Sequence, residues 1–210
     1  MHKIEDRAVV LFQGDSITDA GRVRTDDSDL GQGYAMMAAS LFTARYPEKE
    51  VTFLNRGISG DRVINLQQRW QEDCLDLKPT WVSILIGIND CWRRFDQNDQ
   101  TTADQFAQSY REILQRTTET VGANLILLEP FVLPYPVDRK RWREDLDPKI
   151  HAVRELAREF QALYIPLDGL FAQAAAKRQP SFWAADGVHP SLAGHALIAN
   201  AWLAAVGAQE

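Results

Sequence analysis

Five short apolar runs, at residues 8–12, 51–55, 81–86, 124–128 and 163–166, alternate with segments whose apolar residues recur at the helical period. No other feature constrains the fold as tightly. A strand that is apolar along its whole length must be covered on both faces. Such strands joined by helices predict a parallel sheet with right-handed crossovers inside a three-layer α/β/α sandwich. Phe106, Tyr110, Ile113, Leu114 and Thr117 mark the buried face of one connecting helix, and Ile150, Val153, Leu156, Ala157 and Phe160 that of another. A last helix is expected after Pro190, capped by Ser191, with Leu192, Ala196, Ala199, Leu203 and Val206 on its inner face. Segments 21–31, 91–101, 130–142 and 179–190 read as irregular. With no repeat and no linker, the 210 residues are expected to form one domain, 1–210.

Charge and composition narrow the partners. The net charge is −6 and the acidic and basic residues are interspersed, which leaves no basic stripe for a phosphate backbone, so nucleic acid is not expected. No apolar run approaches the roughly 20 residues of a membrane helix, and residues 1–7 lack the apolar core of a signal peptide. A cytoplasmic location with no membrane partner is the expectation. Cys74 and Cys91 then read as reduced core residues.

In open α/β sheets the ligand site lies at the carboxyl ends of the strands. The first strand runs straight into Gly14-Asp15-Ser16-Ile17-Thr18-Asp19 there. A serine hydroxyl needs a base to become a nucleophile. Of the four histidines, His2 lies at the terminus, His151 and His195 fall in helical segments, and His189 sits in a loop. Asp186, three residues before His189, is close enough to take the ring N–H and set the tautomer. Oxyanion donors can come from Asn55-Arg56-Gly57-Ile58-Ser59-Gly60 and from Gly87-Ile88-Asn89-Asp90. Each piece also has a plainer reading. Asp-Ser can merely cap a helix, Asn89 can be a turn residue, and the glycines can serve a tight turn. Asp186 with His189 lacks the further ligands of a metal site.

Taken together, Ser16, Gly57, Asn89 and His189 in this order resemble the four signature residues of the GDSL-type, or SGNH, hydrolase family. The resemblance implies a flavodoxin-like fold with strand order 2-1-3-4-5 and a Ser16, His189, Asp186 triad. It also implies an oxyanion hole of the Ser16 N–H, the Gly57 N–H and the Asn89 amide, with no metal or organic cofactor. Residues 86–96 and the stretch from Trp183 to Pro190 resemble bacterial acetyl xylan esterases of this family. By that resemblance the partner is a small-molecule ester, an acetylated sugar such as a xylo-oligosaccharide, and the chain forms a homo-oligomer.

Trp92 and Trp183 are candidates for stacking on sugar, and Arg93 and Arg94 for contact with an acidic or phosphorylated group, while Trp142 lies in a loop expected at the strand ends. Tyr135, Trp142 and Trp202 are candidate interface anchors. Asp15, Asp19 and Asp90 are expected to hold the loops. The alternatives are a lysophospholipase or thioesterase of the same family, or a phosphate- or sugar-binding module without turnover. A neutral His189 base implies activity that falls below about pH 6.5.

Overall fold

The computed structural model describes residues 4–208; His2 lies outside them. Strands β1 (Val9–Gly14), β2 (Thr52–Asn55), β3 (Trp81–Leu85), β4 (Asn124–Leu128) and β5 (Leu163–Ile165) form one sheet in the order β2-β1-β3-β4-β5. Every pairing is parallel, with Leu11 opposite both Leu54 and Val82, and Val82 opposite Leu125. Around the sheet lie α1 (Ser16–Asp19), α2 (Tyr34–Arg45), α3 (Val63–Asp73), α4 (Ile88–Asp96), α5 (Ala103–Thr120), α6 (Arg143–Glu159), α7 (Leu167–Lys177), α8 (Pro180–Trp183) and α9 (Leu192–Ala205).

The two-residue period of the strands divides the core. Val10, Phe12, Leu85, Ile126 and Leu128 join one cluster with residues of α2, α7 and α9. Leu11, Val82, Ile84, Leu125 and Leu127 join a second with residues of α3 and α5. Each such fully buried aliphatic side chain contributes about 1.5–3 kcal/mol. Two indoles inside are paired: the Trp202 indole N–H donates to Ser83 Oγ at 3.1 Å, and that of Trp70 to Thr117 Oγ1 at 3.0 Å. Because α2 lies on one face and α3 on the other, the chain departs in opposite directions on the two sides of β1. In open α/β sheets such a reversal marks where ligands bind, here the carboxyl end of β1.

Several sequence expectations need correction. The first strand runs on through Gly14, which pairs with Leu85. Segment 91–101 is largely the helix α4. Its Ile88, Cys91, Trp92 and Phe95 have helical spacing and pack into the first cluster, though Asn89 and Asp90 read locally as turn chemistry. A 3-10 turn, Val137–Trp142, and the short α8 interrupt two more segments read as irregular. On α9 the Ser191 cap is present, its Oγ accepting the Gly194 N–H at 3.3 Å, but Leu192 is 75% exposed and the buried residues are Gly194, Ile198, Ala199, Trp202 and Leu203. The Leu192 side chain faces solvent on the first turn of α9. Trp142 and Trp202 are fully enclosed by their own chain and cannot anchor an interface; Tyr135 remains exposed. Cys74 and Cys91 are free, in clusters on opposite faces of the sheet.

Candidate active site

Gly14 ends β1 where a Cβ would lie 2.3 Å from Leu85 O and 2.4 Å from Thr18 Oγ1, so only glycine lets the chain turn this tightly. Asp15 then caps α1, its Oδ1 accepting the Ile17 N–H at 3.0 Å. The capping role therefore belongs to Asp15, and the Ser16 hydroxyl is left for His189. Ser16 Oγ lies 2.9 Å from His189 Nε2, and His189 Nδ1 lies 2.6 Å from Asp186 Oδ2. The other carboxylate oxygen, Oδ1, accepts the N–H groups of Val188 at 2.9 Å and His189 at 2.8 Å. With Nδ1–H donating to Asp186, Nε2 is the lone-pair nitrogen facing Ser16.

The side chains of His189 and Asp186 are 46% and 38% exposed, so the three residues sit at an open surface. The hydrogen bond that His189 donates to Asp186 raises the imidazole above its usual value, against the opposing effect of burial. Burial raises the Asp186 carboxyl, but the bonds from His189 and Val188 outweigh it and hold the carboxyl well below the usual range. The second loop is packed against α1: a Cβ on Gly57 would stand 2.4 Å from Asp19 N. The Gly57 N–H donates to Asn55 Oδ1 at 2.8 Å, and Asn55 Nδ2 donates to Thr18 O and Leu30 O. Asn89, in the first turn of α4, is 4% exposed and uses one amide N–H on Asp61 O at 3.0 Å. As the first residue of α1, Ser16 has a backbone N–H with no intrahelical acceptor.

Residues 12–197 match the model of the GDSL-like lipase/acylhydrolase family. The chain belongs to this family. It is 36% identical over 213 aligned residues to an acetylxylan esterase from Geobacillus stearothermophilus, covering 98% of this chain and 96% of the relative. A putative GDSL-like lipase from Parabacteroides merdae superposes with TM-score 0.94 at 34% identity, over 98% of both chains. Catalytic mutants of the Geobacillus esterase with a serine, a histidine or an aspartate replaced by alanine superpose with TM-score 0.90, at 34% or 35% identity. They cover at least 98% of this chain and 96% of theirs. This member of the GDSL family is a carboxylic ester hydrolase.

Around the three central residues of this GDSL hydrolase, the acidic side chains tie loops down as the sequence suggested. Asp19 accepts from Ser59 N and Oγ and from Arg24, and Asp90 accepts the Val63 N–H at 3.1 Å. Burial pushes Asp15 up to about 7 and Asp90 up to about 6. Of the aromatic candidates, Trp92 has its ring centroid 5.9 Å from that of His189. Trp183 donates to Arg178 O and stacks edge-on with Phe182, with no ring contact or hydrogen bond to Ser16, Asp186 or His189. Arg93 is paired with Asp96 on its own helix, and Trp142 is buried against Phe95. Among the described residues, no three His, Cys, Asp or Glu side chains come together to hold a metal ion, and no helix is long and apolar enough to cross a membrane.

Two residues escaped the sequence reading. Arg139 lies over Trp142 at 4.0 Å and Trp92 at 5.2 Å and donates to Asp186 O at 3.1 Å, fastening the loop that holds His189. Nothing local signals that contact. Asn55 holds the Gly57 loop, and here the sequence did carry a sign: Asn two residues before Gly fits an Asx turn.

Proposed function

We propose that the chain is a serine esterase that removes acetyl groups from carbohydrate, such as short xylo-oligosaccharides, with Ser16 as nucleophile, His189 as general base and Asp186 as its orienting partner. The observation that carries this reading is the Ser16–His189–Asp186 relay, with its contacts of 2.9 and 2.6 Å. His189 Nε2 takes the hydroxyl proton as Ser16 Oγ attacks the ester carbonyl, and the imidazolium is stabilised by Asp186. His189 then protonates the departing sugar oxygen, leaving an acetyl-serine. A water deprotonated by His189 attacks that ester, and acetate leaves.

The oxyanion of each tetrahedral intermediate is assigned to the Ser16 N–H and the second Asn89 amide N–H. The Gly57 N–H joins them to the extent that it can be shared with Asn55 Oδ1. Trp92 is assigned as the wall nearest the base, and Trp183 and Arg93 as more distant sugar contacts. The acetylxylan esterase relative supports the acetyl preference.

Self-association belongs to the same proposal: α9 has no charged side chain, yet it turns Leu192 and Asn200 to solvent. Light scattering on the eluted protein measures this, and a monomer at micromolar concentration removes it. The family match to residues 12–197 supports reading 1–210 as one domain.

Hydrolysis of chromogenic acetate, butyrate and octanoate tests the central reading, with Ser16→Ala run in parallel. Acetate is expected to turn over fastest and Ser16→Ala to abolish it, after which acetylated xylo-oligosaccharides follow as substrates. A preference for octanoate replaces this reading with the lysophospholipase or thioesterase one.

A further inference from the structure

Arg69 stands on α3, behind the proposed site, and the mechanism above gives it no part. Its side chain is 15% exposed, and its planar fork meets acceptors in three directions. Nε donates to Asp61 Oδ2 at 2.9 Å, Nη1 to Asp73 Oδ2 at 3.0 Å and Nη2 to Gly14 O at 3.5 Å. Two of these acceptors lead to the reacting groups. The peptide oxygen of Asp61 is the one that holds Asn89 Nδ2 at 3.0 Å. Gly14 precedes the Asp15-Ser16 pair, and its oxygen also accepts the Ile58 N–H at 3.0 Å, next to Gly57.

We propose that Arg69 is a positioning residue that aims the Asn89 amide at the oxyanion, by clamping Asp61 to the end of β1, two residues before Ser16. The proposal rests on the serine esterase reading above. Asp61 sits in a turn closed by its own N–H on Ile58 O at 3.2 Å, which leaves its carbonyl free to swing unless the side chain is gripped. Burial raises the Asp61 carboxyl against the pull of Arg69, so without the guanidinium the charged side chain has reason to leave its place. An oxyanion donor acts only when it is aimed within a few tenths of an ångström, and a misplacement of about 1 Å costs about 100-fold in rate. A lysine, with one compact ammonium, cannot span the three acceptors.

The test compares kcat and KM for a chromogenic acetate in wild type, Arg69→Met, Asn89→Ala and the double variant, with circular dichroism confirming the fold of each. Arg69→Met is expected to lower kcat about tenfold or more, with KM within about threefold of wild type. In the Asn89→Ala background the same substitution is expected to cost less than about threefold, because no amide remains to be misplaced. Arg69→Lys should restore only part of the rate. An equal cost in both backgrounds overturns the proposal, since a merely structural residue lowers both alike.

If Arg69→Met fails to fold, Asp61→Asn takes its place in the comparison. That substitution keeps the carbonyl and removes the charge that Arg69 grips. A wild type without esterase activity sinks the esterase reading and this proposal together, whereas an active wild type with equal penalties sinks this proposal alone.

Discussion

At the scale of single residues, the proposed base His189 makes a prediction about pH. In that role it must be neutral, and the Asp186 hydrogen bond raises its imidazole above the ordinary 6.5. A raised value keeps the inactive imidazolium populated to higher pH, so the acid limb of kcat/KM is expected above pH 6.5. The sequence alone, assuming an unperturbed histidine, places it lower. Asp186→Asn should move the limb back towards the ordinary value or below it and cost about 10³–10⁴-fold in kcat. A pH–rate profile of both proteins checks this, and an unshifted limb in the variant would remove Asp186 as the cause. Gly57 makes a second case. A Cβ there would stand 2.4 Å from Asp19 N, on the helix that starts with Ser16. Gly57→Ala is therefore expected to lower kcat by about 100-fold, by displacing α1. Chromogenic acetate kinetics give the number, and a rate within threefold of wild type would show that the loop yields instead. The Asp15 cap and the Asp186–His189 spacing were legible because their bonds reach only two or three residues. The 173 positions that separate Ser16 from His189 are crossed by the fold, and only residue chemistry hinted at that pairing.

Elements extend the same lesson. The buried faces of α5 and α6 follow their periodicity, and Phe106, Tyr110, Ile113, Leu114, Val153 and Leu156 are all enclosed. The start of α2 was not legible: Gly33 offers no side chain to cap it, and the Tyr34 N–H donates instead to His195 Nδ1 at 3.2 Å, from α9. Burial pushes His195 down to about 4, in keeping with a neutral ring that accepts this bond. Between about pH 6.5 and 4 the unfolded chain binds the proton and the folded chain does not. The stability that His195 contributes is thus complete above about pH 6.5 and is lost as pH falls towards 4. Urea unfolding of His195→Ala should show a loss of about 1–2 kcal/mol at pH 7.5, narrowing at pH 4.5. A gap of the same size at both pH values would mean that packing, not the cap, makes the contribution.

The whole molecule is held by two apolar layers on either side of one sheet, with a free thiol in each. Burial pushes the Cys74 thiol up to about 12 and the Cys91 thiol well above its usual value. Neither is expected to react with a thiol reagent at neutral pH until the fold opens. Labelling followed across a urea titration should rise for both thiols with global unfolding, and rapid modification of either in the native protein would contradict the packing. The sequence by itself determined the strand count, the parallel sheet and the helical faces of α5 and α6, and it singled out Ser16, Asp186 and His189, which the fold brings within hydrogen-bond distance. Those follow from residue periods and from contacts a few positions long, which any window of the chain already contains. Only the tertiary structure decided that Leu192 faces out while Trp202 is buried, that Asn55 holds the Gly57 N–H, and that Arg69 reaches Asp61. A helix face or a polar atom finds its partner across the crossovers, and which partner arrives depends on how the layers pack over the sheet.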